Sequence, residues 1–147
     1  MLKIIPQVVY KLGLGPIIGR RVLLLTTTGR KSGLPRVTPL QYEEINGAFF
    51  VGSMRGKKAD WFRNILEDPR VNLRVGRRRF DAIAEPVSDP DRITDFLEER
   101  IARHPRIMAM ILRAEGVSVN ATRDQLRDYA EDLAMIVIHP PKSRLDT

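Results

Sequence analysis

The dipeptide Asn46-Gly47, set between two runs rich in β-branched and aromatic residues, constrains the fold more than any other pair in the chain. Both central residues of a tight hairpin turn need positive φ, which Asn and Gly tolerate, so the chain is expected to reverse there between two strands. The first is read at about residues 35–44, with Arg36, Thr38, Leu40 and Tyr42 on one face and Val37, Pro39 and Gln41 on the other. Pro39 has no N–H, which implies an edge or a bulge. The second runs from Ala48 to Met54. Pairing these two strands would return Arg55 and Lys57 toward Arg36 and the loop before it.

The remaining patterns extend a hairpin-dominated order. Val22 to Thr28 is a dense apolar and β-branched run, read as a buried strand. A helix is expected over about 58–67, where Trp61, Asn64 and Ile65 share a stripe and Asp68-Pro69 stops it. Val71 to Val75 alternates as a strand, Gly76 and Arg77 turn, and residues 78–87 return. Ser88-Asp89-Pro90-Asp91 opens an amphipathic helix through about Arg103, ended at His104-Pro105. A short helix follows over 107–114, then a polar helix begun by a Thr122 to Gln125 capping box, and an apolar strand over 133–138. This order predicts a mainly β, α+β protein: an antiparallel sheet or small barrel with peripheral helices, in one domain over residues 1–147. No GxGxxG fingerprint stands at a strand-to-helix junction, which argues against a parallel nucleotide-binding sheet.

Composition removes whole classes of chemistry. Without cysteine there are no disulfides, thiolate nucleophiles or iron-sulfur clusters. His104 and His139 lie at no metal-ligand spacing, so no metal site is expected, and His139 reads as a strand-end residue. No GxSxG elbow or paired catalytic carboxylates can be assigned, and no side chain is nominated as a catalyst. A net charge of +7 favours acidic partners. Arg77-Arg78-Arg79 has only Phe80 beside it, so nucleic acid is not the expected partner. Residues 1–19 are too interrupted to span a bilayer and show no small-residue cleavage site, which points to a cytoplasmic protein. Ile5, Val8, Val9 and Leu12 suit a short amphipathic helix, either a lid on the core or a peripheral membrane contact.

The chemistry concentrates in residues 26–40, TTTGRKSGLPRVTPL. Gly29 and Gly33 permit close main-chain approach, while Arg30, Lys31, Ser32 and Arg36 are donors for phosphate or carboxylate oxygens. On physics alone the loop is either an anion cradle or a solvated basic turn.

Three ordered segments, LLLTTTGRKSGLPRVTPL at 23–40, GSMRGKKADWFRNI at 52–65 and EDPRVNLRVGRRRFDAIAEPV at 67–87, resemble the deazaflavin-dependent nitroreductase family. These are split β-barrel proteins of the FMN-binding type that use coenzyme F420. The resemblance implies hydride transfer to a small conjugated acceptor, a quinone, an enone or a nitro compound. It places Arg30, Lys31, Ser32 and Arg36 on the phosphate and acidic tail, and Thr38, Pro39 and Leu40 along the groove. Ser53, Arg55, Gly56, Trp61 and Asn64 would line the part nearer the ring. The stretch from Ser53 to Trp61 is shorter than in many relatives, and residues 105–131, which carry Tyr129 without the tyrosine-rich pattern of nitroimidazole-reducing members, look longer than the usual tail before the last strand. FMN is the alternative cofactor on this scaffold. A non-catalytic carrier of lipid, fatty acid or the coenzyme is the alternative function, in a monomer or a homodimer.

Overall fold

In the computed structural model, residues 22–53, 56–118 and 120–141 are described. The amphipathic segment 1–19 and Arg55 lie outside them. β1 (Val22–Thr28) and β2 (Pro35–Gln41) form an antiparallel hairpin closed by the Gly29–Leu34 loop. In that hairpin Leu23, Leu25 and Thr27 are buried, and their direct partners are Leu40, Thr38 and Arg36. Direct partners share a face, so Arg36, Thr38 and Leu40 line the inner side of the sheet as their alternation requires.

The Asn46-Gly47 turn is present, with φ of 52° and 83°, but the strand before it is divided. Only β3 (Glu43–Ile45) pairs across that turn with β4 (Ala48–Ser53), while β2 pairs with β1. The expected single strand over 35–44 is therefore corrected to two, broken at Tyr42. Pro39 supplies a reason: lacking an N–H, it suits a strand with one neighbour, and β2 is an edge strand.

β5 (Arg70–Val75), β6 (Arg78–Val87) and β7 (Ala134–Ile138) complete a seven-stranded sheet ordered β2-β1-β5-β6-β7-β4-β3. Every pairing in it is antiparallel. The sheet curls as a split β-barrel, with one helix on its inner core and three against its outer face. All five residues of β7 are buried, because apolar side chains cover it from both faces. On the inner face Leu25, Phe49, Val51, Leu73, Ile136 and Ile138 form one core, closed by Trp61, Phe62 and Ile65 of α1 (Asp60–Glu67). On the outer face Met135, Val137 and Val87 meet the helices α2 (Pro90–Arg103), α3 (Pro105–Ala114) and α4 (Arg123–Ala130).

Helix ends follow their local chemistry. The Asp89 side chain accepts from the Asp91 N–H at the start of α2, and the Thr122–Gln125 capping box opens α4. α3 begins at Pro105, two residues before the expected start, because proline suits a first helical turn where its missing N–H is not needed. No helix among the described residues is long and apolar enough to cross a membrane.

One backbone contact fixes the entry to α1. A short 3₁₀ turn, Gly56–Lys58, precedes the helix, and Gly56 has φ 61°. A Cβ there would fall 2.1 Å from the Asp132 carbonyl oxygen, so only glycine fits between this turn and the segment leading into β7. Gly33 is also at positive φ (71°), but a Cβ added to it would meet nothing within 4 Å. Gly56→Ala is therefore expected to destabilise by about 3 kcal/mol or more, against about 1–2 kcal/mol for Gly33→Ala. Urea unfolding of the two variants checks the ranking. A second expectation concerns acid. The Arg70 guanidinium and N–H hold the half-buried Asp68 carboxyl at a pKa of about 2, below its ordinary 3.8. A depressed carboxylate stabilises the fold above its ordinary pKa, and that contribution fades as pH falls through about 2. Asp68→Asn should therefore narrow the stability difference between pH 6 and pH 2, read from thermal midpoints.

Candidate functional site

The β1–β2 loop is a closed turn before it is anything else. The Gly29 N–H donates to the Leu34 carbonyl at 2.8 Å, the Gly33 N–H to the Gly29 carbonyl at 2.8 Å, and the Leu34 N–H to Ser32 Oγ at 3.2 Å. A Cβ on Gly29 would lie 2.7 Å from Ser32 Oγ and 3.2 Å from the Leu34 carbonyl oxygen, so glycine lets the loop close tightly on itself.

Asn64 ties this loop to α1. Its Oδ1 accepts from the Arg30 N–H at 3.1 Å and from Arg30 Nη1 at 2.9 Å, while its Nδ2 donates to Thr27 Oγ1 at 3.2 Å. Arg30 Nη2 reaches Asp60 Oδ1 at 3.3 Å. Asn64 is only 3% exposed, and three satisfied contacts offset the cost of burying its amide. Asn64 and Asp60 thus tie the β1–β2 loop to α1, while the strand pairing expected from the turn does not form, since β2 and β4 are not neighbours in the sheet.

The predicted residues divide into two groups. Lys31, Ser32 and Arg36 are exposed on the hairpin, with Thr38, Pro39 and Leu40 half-buried behind them. Arg30, Gly56, Trp61 and Asn64 belong to the frame: Arg30 is clamped to Asn64 and Asp60, Gly56 is wedged against Asp132, and Trp61, 8% exposed, packs in the inner core. Buried Ser53 donates from Oγ to the Gly56 carbonyl at 2.8 Å, stapling the ends of the segment that contains Arg55.

Charge pairing separates the hairpin from the helical cap. On the cap, Arg92 pairs with Glu85, Arg103 with Glu99, Arg123 with Asp95 and Glu98, and Arg127 with Asp91 and Glu131. Among the described residues no carboxylate pairs with Lys31, Arg36, Lys57 or Lys58. These four cations are exposed on the hairpin and the 56–58 turn, where a positive field can attract a polyanion. The donor set, ammonium, guanidinium and hydroxyl on one tight loop, fits a phosphate with an acidic tail. No group of three or more metal-ligating side chains occurs among the described residues.

A second feature escaped sequence reasoning. Between the outer face of β4 and β7 and the helices lies a cavity of about 110 Å³, walled by Phe50, Phe96, Met108, Leu112 and Met135. It extends to Gly52 and Ser53 at the end of β4. Its polar lining is Arg100, Tyr129, Tyr42 and the pair His104–Glu43, in which His104 Nε2 lies 2.5 Å and 3.1 Å from the two carboxylate oxygens. Burial lowers the Arg100 pKa and raises that of Tyr129. Glu43 and His104 are 61 positions apart, and no local pattern pairs them. The i, i+4 spacing of Arg100 and His104 on either side of the α2 end is the one signal that could have placed them together.

Residues 8–111 match the F420H(2)-dependent quinone reductase family. An F420H(2)-dependent quinone reductase of Mycobacterium tuberculosis is 36% identical over 85 residues, covering 50% of this chain and 57% of that protein. The chain thus spans a little over half the length of the curated relatives it matches. Among solved structures, an F420-H2 dependent reductase is similar over 82% of this chain and 95% of its own, with a TM-score of 0.55 and 22% identity. The haem storage protein HutZ from Vibrio cholerae is similar over 90% and 91%, with a TM-score of 0.56 and 18% identity. Those two likenesses establish the fold. The match over residues 8–111 gives the family: the chain belongs to the F420H(2)-dependent quinone reductases.

Proposed function

We propose that this chain is an F420H2-dependent reductase of a small quinone, with the coenzyme's phosphate and acidic tail held by Lys31, Ser32 and Arg36. The observation that carries the reading is the set of exposed cations on the β1–β2 hairpin and the 56–58 turn, which no described carboxylate neutralises although the helical cap is extensively ion-paired. Thr38, Pro39 and Leu40 would form the groove wall. Arg30 and Asn64 act as positioning residues, fixing the hairpin on α1 so that the donors are preorganised. Ser53 and Gly56 set the path of the segment carrying Arg55, which the family resemblance places nearer the ring.

When bound, F420H2 supplies a hydride from the carbon at position 5 of its deazaflavin ring. A quinone that accepts a hydride and a proton leaves as the hydroquinone. The protein's part is to hold the two partners in contact, to keep water away and to fix their orientation. An FMN phosphate could use the same hairpin donors; membership of the F420H(2)-dependent family favours the deazaflavin. Enones and nitro compounds are further acceptors to compare with quinones in the same assay.

Titration with F420 should quench Trp61, the only tryptophan, and FMN should bind at least tenfold more weakly. Each of Lys31→Ala and Arg36→Ala should weaken F420 by about 10-fold, as expected for loss of a hydrogen bond to a charged group, with the melting temperature unchanged. Asn64→Ala should instead lower both the melting temperature and F420 affinity, since it leaves Thr27 and Arg30 without their partner. Normal F420 affinity in the Lys31→Ala, Arg36→Ala double variant would remove the hairpin from the site. Absence of menadione reduction by a protein that binds F420H2 would refute the quinone assignment while leaving the binding site standing.

A further inference from the structure

Arg100 differs from the other arginines of the cap in facing a cavity and not open solvent. It lies on α2 against the cavity, its guanidinium carbon 5.8 Å from the centre of the Phe96 ring. Nε is enclosed and has no hydrogen-bond partner, and no ion pair joins Arg100 to a described residue. Glu43, the one acidic side chain on the wall, has both oxygens on His104 Nε2, so its hydrogen bonds are directed to the histidine. The rest of the wall is apolar, apart from the hydroxyls of Ser53, Tyr42 and Tyr129 and the amide of Gln41. The Glu43 charge favours the charged guanidinium and the Phe96 ring faces it, but Nε itself is left without an acceptor.

We propose that this cavity is a binding site for an apolar molecule with an anionic head, whose carboxylate is received by Arg100 and whose hydrocarbon body lies among Phe96, Met108, Leu112 and Met135. Size is consistent with that class. At roughly 10–15 Å³ per water, a cavity of 110 Å³ takes several waters, or a ligand on the order of ten heavy atoms. A medium-chain carboxylate has that size and polarity. The inference does not depend on hydride transfer, because it concerns the outer face of the sheet and can be read without coenzyme.

The test is calorimetry of the full chain, without coenzyme, against octanoate and against octanol as its uncharged counterpart. Octanoate should bind about 10- to 100-fold more tightly than octanol, the range expected for hydrogen bonds to a charged group. Arg100→Met should remove that preference while leaving octanol affinity unchanged. Ile111→Trp, which fills the cavity from its partly exposed wall, should abolish binding of both probes. Equal affinity for octanoate and octanol in the wild type, an Arg100→Met variant that still prefers octanoate, or an Ile111→Trp variant that binds both normally would each overturn the proposal. Should Arg100→Met fail to fold, Arg100→Gln carries the same comparison.

Discussion

The Asn64 amide joins three parts of the molecule that the chain makes at different times: β1 through Thr27, the basic hairpin through Arg30, and α1 on which it sits. A buried amide has four hydrogen-bonding opportunities and tolerates few of them going unused, so its environment is specified tightly. With Asn64 in place, the hairpin loop cannot swing independently of the helix, and its exposed cations keep a fixed spacing. The position of the hairpin is therefore a property of core packing expressed at the surface. Arg30 illustrates the division of labour. It is the first cation of the loop, yet its charge faces Asp60 and Asn64, leaving Lys31 and Arg36 to face outward.

What could be read from the sequence is what depends on near neighbours. β1 over 22–28, β6 over 78–87, the Asp89 cap and the Thr122–Gln125 box each rest on a few consecutive residues, and the structure has them where the pattern put them. The Asn46-Gly47 turn was equally legible, but the strand entering it was not, because continuity across Tyr42 is decided by which neighbour each half finds in space. β2 takes β1 and β3 takes β4, on opposite flanks of the sheet. The pairing by which the two basic segments were expected to converge is not formed, and the hairpin is tied instead to α1 through Asn64. Nothing local distinguishes the Asn64 that bridges them from any other helical asparagine.

The cavity was beyond sequence reasoning for the same reason. Arg100 lies on an amphipathic helix, where arginine ordinarily reaches solvent, and its isolation follows from a wall assembled by α2, α3, α4 and the outer face of two strands. Glu43 reads as one of several surface acids until the pairing with His104, which comes from the junction of α2 and α3, shows it buried. A strand residue and a helix-end residue so far apart meet only after the cap has docked on the sheet.

β7 gives these observations a kinetic meaning. It comes after the other six strands in the chain, yet it is inserted between β6 and β4 and is shared by both cores. Until residues 134–138 have been synthesised and seated, β4 and β6 each lack a partner, and their unpaired edges are open to wrong pairings. Folding must therefore close long loops before its central contacts form, which is a slow route and one exposed to aggregation. During synthesis this protein would be a chaperone client, and the last strand to be made is the one that commits the sheet.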